Sequence, residues 1–386
     1  MLLRFPLFLL CVLFLISTLS ANGQRGRFLD EYTEPMQKKV GIEANAYIGS
    51  VFKHSPDFKP DINGPTVMLE VGAVKHTTGD KPWSRLLNYP EVGGSFIYTR
   101  FGNTTEMGQA FSLMPHVKFF IRHRGFLDMY FRVGFGISWI TKPYNRFDNP
   151  GNNAIGSHLN NISQLKFGMN WKLKPGLELA TGIALTHFSN GAFNKPNLGL
   201  NNISASVGIN YYLGDKEQEG SYDRSLVPKP EERNGIMLKF SLAFNERHTD
   251  GGPLYPVYIT TMQYSYATSK VNYLNAGFIY SVDIGTWEEL IDRQIDEDKS
   301  QKASATELSF YVGDEILIGK VGIYGLMGVY LLRPKFVPSR VFTKWGANIY
   351  WYSLPSRPSM RFFTGVSVKA HNFVAQYLEF SAGVTF

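Results

Sequence analysis

The segment Leu165-Lys166-Phe167-Gly168-Met169-Asn170-Trp171-Lys172-Leu173-Lys174 alternates apolar residues at odd positions with lysine, glycine and asparagine at even ones. Successive side chains of a strand point to opposite faces, so as a strand it has one apolar face and one face carrying three lysines. No soluble core covers that second face. A transmembrane β-barrel does, because its wall meets lipid on one side and a polar lumen on the other. The pattern returns in Phe131, Val133, Phe135, Ile137 and Trp139 set against Arg132, Gly134, Gly136 and Ser138.

Working outward in both directions, about sixteen such segments follow one another from residue 40 to the C-terminus. Among them are strands expected over 108–120, 126–141, 162–173, 177–189, 200–213 and 304–313. The fold class is therefore all-β, a transmembrane antiparallel barrel: an eight-stranded N-terminal half plus a further β-stranded C-terminal half. Aromatic content of 15 %, with 37 glycines and 21 tyrosines, suits a barrel with aromatic girdles better than a soluble enzyme of this length.

The ends of the chain agree with that class. Met1 to Arg4, an apolar run from Phe5 to Ile16 and a small-residue stretch ending Ala21-Asn22-Gly23 read as a signal peptide over 1–23. No later stretch is long and apolar enough for a spanning helix. At the other end Leu378, Phe380, Ala382, Val384 and Phe386 alternate with Tyr377, Glu379, Ser381, Gly383 and Thr385. An amphipathic strand ending on an aromatic residue resembles the sorting signal of bacterial outer-membrane proteins, so insertion by the barrel assembly machinery into the bacterial outer membrane is expected.

Cys11, the single cysteine, lies in the signal, which leaves no thiol or disulfide chemistry afterwards. The net charge of +7, about +6 after loss of Arg4, suits anionic lipid headgroups. Its basic residues are scattered rather than striped, so nucleic acid is not indicated. The domain reading is 1–23 signal peptide, 24–213 first barrel half, 214–233 charged and proline-bearing linker, and 234–386 second half. The acidic stretch Trp287 to Lys302 is expected to form a short helix in a loop.

On 177–189, His187 and Ser189 share a face with Leu179, Ile183 and Leu185. On 200–213, Asn201 shares one with Ile203, Ala205, Val207 and Ile209. Three polar groups thus stand on the lipid-facing rows of adjacent strands. With the N-terminus in the periplasm, the seventh strand ends near the cell surface, level with the headgroup and ester region of the outer leaflet. A serine hydroxyl needs an imidazole to take its proton, and the imidazole needs a third group to hold its tautomer. A developing oxyanion needs fixed donors, for which the amides of Asn190 or Asn197 or the backbone N–H groups of the Gly191 turn are suitable.

His187-Phe188-Ser189-Asn190-Gly191, followed by Lys195-Pro196-Asn197-Leu198-Gly199-Leu200-Asn201, resembles the motif of the PagL-type lipid A 3-O-deacylases, also called acyloxyacyl hydrolases. The family pattern is H-x-S-N and then P-N-x-G on the last two strands of an eight-stranded barrel. The resemblance implies Ser189 as nucleophile, His187 as general base, Asn190 and Asn197 as oxyanion or positioning groups, and lipid A (lipopolysaccharide) as substrate. No cofactor follows from it, and homodimerisation stays open.

Two departures stand out. Asn201 occupies the place of a family glutamate, and an amide can orient an imidazole through its oxygen but cannot stabilise the imidazolium by charge. The half after residue 234 has no counterpart in eight-stranded members. Its own His371 and Glu379 are expected to face the lumen, and Phe373 stands where a serine would be needed, so that half reads as structural. The remaining histidines, His54, His76, His116, His123, His158 and His248, form no metal-spaced pair, and no metal site is expected. The asparagine-rich stretch 145–161 is a candidate for sugar or phosphate contact. The competing function class is a non-enzymatic barrel, porin-like or structural, that kept the motif.

Overall fold

The computed structural model describes residues 40–386 apart from 80, 125, 214–229, 231–232, 247–251, 296–299 and 372–373. The expected signal segment, Cys11, most of the linker, His248 and Phe373 lie outside the described residues.

Two closed barrels of eight antiparallel strands are present. The first comprises β1 (Val40–Val51), β2 (Thr66–His76), β3 (Glu91–Arg100), β4 (Gln109–Arg124), β5 (Leu127–Ile140), β6 (Leu159–Lys174), β7 (Leu177–Ser189) and β8 (Leu200–Leu213). It closes where β1 pairs with β8, Val40 opposite Leu213 and Val51 opposite Asn202. The second runs from β9 (Asn234–Glu246) through β10 (Leu254–Ala267), β11 (Asn272–Asp283), β12 (Thr306–Ile318), β13 (Val321–Leu332), β14 (Val341–Leu354) and β15 (Arg357–His371) to β16 (Val374–Thr385). β16 pairs with β9 to close it.

The alternation seen in the sequence is the burial pattern of the walls. In β6 the Lys166 side chain is fully buried while Phe167 is 41 % exposed. In β5 Arg132 and Ser138 point in, and Phe135, Ile137 and Trp139 point out. Apolar residues that exposed, on strand after strand, form a surface suited to lipid rather than water.

An eight-stranded barrel leaves room inside only for side chains. In the first barrel they form an ion network: Arg132 grips Glu70 with two bonds of 2.7 and 3.0 Å and reaches Glu43 at 3.2 Å. Lys118 bridges Glu91 at 2.7 Å and Glu43 at 3.2 Å, and Lys166 bonds Asn45 at 3.1 Å. Each buried charge there has an opposite charge or a polar partner, the condition under which burial is tolerated. In the second barrel Lys369 meets Glu307 at 2.6 Å and Lys344 meets Glu379 at 2.5 Å, while the Tyr350 hydroxyl donates to Glu315 at 2.8 Å. His371 faces this lumen as expected, 2.7 Å from the Tyr330 hydroxyl.

The largest differences from the sequence reading are at the ends of β4 and β12, and both have local reasons. β4 continues past residue 120 to Arg124, because adjacent Phe119 and Phe120 are both buried beside a bulge that breaks the two-residue period. β12 starts two residues later than expected and continues past 313 to Ile318. The pair Asp314-Glu315 looks like a break in sequence, yet Asn272 donates to Asp314 at 2.6 Å and Tyr350 holds Glu315. The expected loop helix spans Ile284–Asp292, capped by the Asp283 side chain, which accepts from the Thr286 N–H at 3.1 Å.

One end of the first barrel carries the tight β4–β5 and β6–β7 connections and the longer 77–90 connection between β2 and β3; the other carries the loops 52–65, 101–108, 141–158 and 190–199. Short turns on the periplasmic side and long loops outside are the rule for outer-membrane barrels. Ser189 ends β7 at the long-loop end.

Candidate active site

His187 and Asn201 are directly opposite each other across β7 and β8. On the outer face below them Ile183 is 64 % and Ile203 52 % exposed, so the site continues the lipid-facing rows. The His187 Nδ1 lies 2.7 Å from Asn201 Oδ1, and its Nε2 lies 2.9 Å from Ser189 Oγ. The three residues picked from the sequence are therefore in one hydrogen-bonded line, within the reach that proton transfer needs. Phe188, between them, points inward and meets Phe101 edge-on at 5.3 Å between ring centroids. That anchors the strand end without occupying the outer face.

The loop from Asn190 to Gly199 shapes the rest. The backbone N–H of Asn190 donates to Asn197 Oδ1 at 3.2 Å, which fixes the Asn197 amide. Its Nδ2 is buried and has no hydrogen-bond partner. The Asn190 amide is already committed: its Nδ2 donates to Ser157 Oγ at 3.0 Å and to the Asn194 carbonyl at 2.8 Å. Of the two amides named from the sequence, Asn197 is the one with a free donor, and Asn190 ties the loop together. Gly191 takes a left-handed φ of 67°, which a glycine adopts without cost.

Gly199 has a stricter reason to be glycine. Its φ is 83°, and a Cβ there would lie 2.7 Å from His187 Cε1. The last residue of the P-N-x-G pattern is thus the space in which the imidazole sits.

Sequence reasoning missed His54. Its Nδ1 is 3.0 Å from Asn201 Nδ2, and its Nε2 is 3.0 Å from the Leu198 carbonyl. It lies 147 residues before Asn201 on the loop after β1, and only the closure of β1 on β8 brings it there. The Phe52 and Phe58 rings stand edge-on to it at 6.5 and 6.1 Å. Burial pushes its imidazole below the ordinary histidine range. The only sequence signal was a histidine just past a strand end, which is weak.

Several amides of the asparagine-rich loop are engaged within the protein. Asn149 and Asn152 donate to the Glu106 carbonyl, and Asn153 donates to the Asp57 carbonyl at 2.7 Å while accepting from the Lys59 N–H at 3.0 Å. These amides staple the long loops to one another, and the Leu198 and Gly199 N–H groups bond Asn153 and Ala154 in turn. Among the described residues one group of three acidic or histidine side chains, Glu43, Glu70 and His116, is close enough to share an ion. It lies on three different strands in the lumen, invisible to sequence spacing, and Arg132 and Lys118 already neutralise its carboxylates.

Residues 68–210 match the family described as lipid A 3-O-deacylase (PagL), and residues 234–386 match that described as acyloxyacyl hydrolase, C-terminal domain. The first match contains His187, Ser189 and Asn201 but not His54. The second covers the half that seemed foreign to eight-stranded members. Among solved structures the chain is similar to the outer membrane enzyme PagL, at 14 % identity over 43 % of this chain and 97 % of that one, with a TM-score of 0.31. It is also similar to Neisserial surface protein A, at 9 % identity over 45 % of this chain and 96 % of that one, again with a TM-score of 0.31. No curated protein matches it in sequence.

Proposed function

Since the chain belongs to the lipid A 3-O-deacylase family, ester hydrolases of the outer membrane, we propose that Ser189, His187 and Asn201 cleave an ester-linked acyl chain from lipid A. The observation that carries this reading is the line of two hydrogen bonds, Ser189 to His187 to Asn201, on the outward face at the long-loop end.

His187 Nε2 takes the Ser189 proton as Oγ attacks the ester carbonyl. The carbonyl oxygen gains negative charge and is met by the free Asn197 Nδ2, with which Ser189 is connected through the adjacent Asn190 backbone. The proton on His187 then passes to the departing sugar hydroxyl, leaving the acyl chain on Ser189. Water, deprotonated by the same nitrogen, releases the fatty acid and restores the hydroxyl. Throughout, Asn201 Oδ1 accepts from His187 Nδ1–H and keeps the ring turned toward the serine. The acyl chain can lie along Leu185, Ile183 and Ile203 on the outer wall without leaving the hydrocarbon.

Nothing observed favours the channel reading, since charged and aromatic side chains fill both lumens. The test is mass spectrometry of lipid A from cells producing the wild-type protein or Ser189→Ala. Loss of one ester-linked acyl chain is expected with the first only. An unchanged deacylated product with Ser189→Ala, folded and in the outer membrane, rules the mechanism out. His371→Ala, in the second barrel, leaves the product unchanged.

A further inference from the structure

We infer that His54 is a positioning residue that fixes which way round the Asn201 amide stands, so that a neutral asparagine can hold His187 as a base; this rests on the Ser189–His187 reading above. Protons can be counted along one chain of contacts. The Leu198 carbonyl can only accept, so His54 Nε2, 3.0 Å away, carries a proton. In the neutral ring Nδ1 is then a lone pair, and Asn201 Nδ2, 3.0 Å away, donates to it. With its nitrogen committed, the planar amide turns Oδ1 to His187 Nδ1 at 2.7 Å, which places a proton on Nδ1. That leaves His187 Nε2 unprotonated, 2.9 Å from the Ser189 hydroxyl.

These assignments are mutually consistent, and the Leu198 carbonyl, which cannot be reversed, sets the first. Turned over, the amide would offer Nδ2 to His187 Nδ1. The His187 proton would move to Nε2, and Ser189 would face an N–H that cannot take its hydrogen. A carboxylate at 201 has acceptors on both sides and needs no such control, whereas an asparagine needs a second residue to choose its orientation. The loop after β1 holds His54 in place for this role. The Phe52 N–H donates to the carbonyl of Asn201 itself at 2.9 Å, and Phe52 and Phe58 limit rotation of the His54 ring.

The test uses the full-length protein in detergent micelles with lipid A, measuring kcat and KM for His54→Leu and His54→Asn, each alone and combined with Asn201→Asp. Heat-modifiable gel mobility verifies folding in each case. His54→Leu should lower kcat about tenfold with KM unchanged, the worth of one orienting hydrogen bond. His54→Asn, whose Oδ1 takes the place of Nδ1, should recover most of that loss. In the Asn201→Asp background His54→Leu should have no further effect, because the carboxylate needs no orientation. An unchanged kcat in folded His54→Leu, or an equal loss in both backgrounds, overturns the inference. Activity persisting in Ser189→Ala would instead overturn the reading on which it rests.

Discussion

Replacing Gly199 by alanine separates the geometry of the site from the stability of the barrel. A Cβ at this position would stand 2.7 Å from His187 Cε1 and 3.2 Å from the Phe188 carbonyl oxygen. Ordinary carbon–carbon contact is about 3.5–4.0 Å, so the imidazole must move by about 1 Å or the loop must give. The ring is held between bonds of 2.7 and 2.9 Å, and a shift of that size lengthens one of them beyond useful reach. Misplacement by about 1 Å costs about a hundredfold in rate. The left-handed backbone adds about 1–2 kcal/mol of strain, which a closed barrel can absorb.

Gly176 supplies the control, since it turns β6 into β7 with a φ of 77° and a Cβ there would lie 3.0 Å from the Tyr212 carbonyl oxygen. Gly176→Ala should therefore lose similar stability and keep its rate. Fatty-acid release from lipid A, with urea unfolding in the same detergent, reads both quantities. Wild-type kcat in Gly199→Ala, or a rate loss in Gly176→Ala as large as in Gly199→Ala, would refute the assignment of Gly199 as the space for the imidazole.

Two further outcomes are expected. Phe167→Arg puts a cation on the lipid face and should cost about 2–4 kcal/mol near the midplane; an unaffected unfolding midpoint would mean that the faces are reversed. The rate should hold through neutral pH and fall on the acid side, because the relay needs His54 neutral and burial holds its imidazole below the ordinary value of about 6.5. The groups against it are Asn201 and through it His187, the Leu198 and Phe52 carbonyls and the Phe52 and Phe58 rings, none of them anionic; the two carbonyls favour the protonated ring, and burial outweighs them. The folded state thus binds the proton less readily than the unfolded chain, so stability falls as pH drops through about 6.5 and levels off below the folded value. A pH–rate profile that rises toward acid would contradict this.

The strand faces were legible because a period of two leaves no freedom: once Phe167 points out, Lys166 points in. The same parity put His187, Ser189 and Asn201 on one face. Which strand neighbours which was not legible, since alternation says nothing about ring closure, and two rings of eight and one ring of sixteen read alike. His54 was hidden for the same reason, being a loop residue whose partner is supplied by the β1–β8 seam. Nor could the sequence tell an amide that binds sugar from one that staples loops, as Asn152 and Asn153 do. Gly168 shows a related limit. Alternation makes it lumen-facing, but a Cβ there would lie 2.3 Å from the Tyr130 ring, so that face is packed rather than open.

Asn201→Asp is the most informative single change, because the site and the wall make opposite demands on residue 201. Inside the barrel Glu43, Glu70 and Glu91 each face Arg132 or Lys118, so their charges are compensated. On the outer row residue 201 has apolar neighbours such as Ile203 along its strand and two imidazoles beside it. A carboxylate there gains from the imidazolium only during the reaction and bears its desolvation cost at all other times. The asparagine avoids that standing cost, at the expense of needing His54 to orient it. Asn201→Asp should accordingly keep or raise kcat, since the imidazolium gains a charged partner, while the barrel loses less than about 1 kcal/mol for an acid near the interface. Parallel measurement of kcat and of the urea midpoint tests both halves. A folded Asn201→Asp protein with kcat far below wild type would mean that residue 201 does not act by accepting from His187.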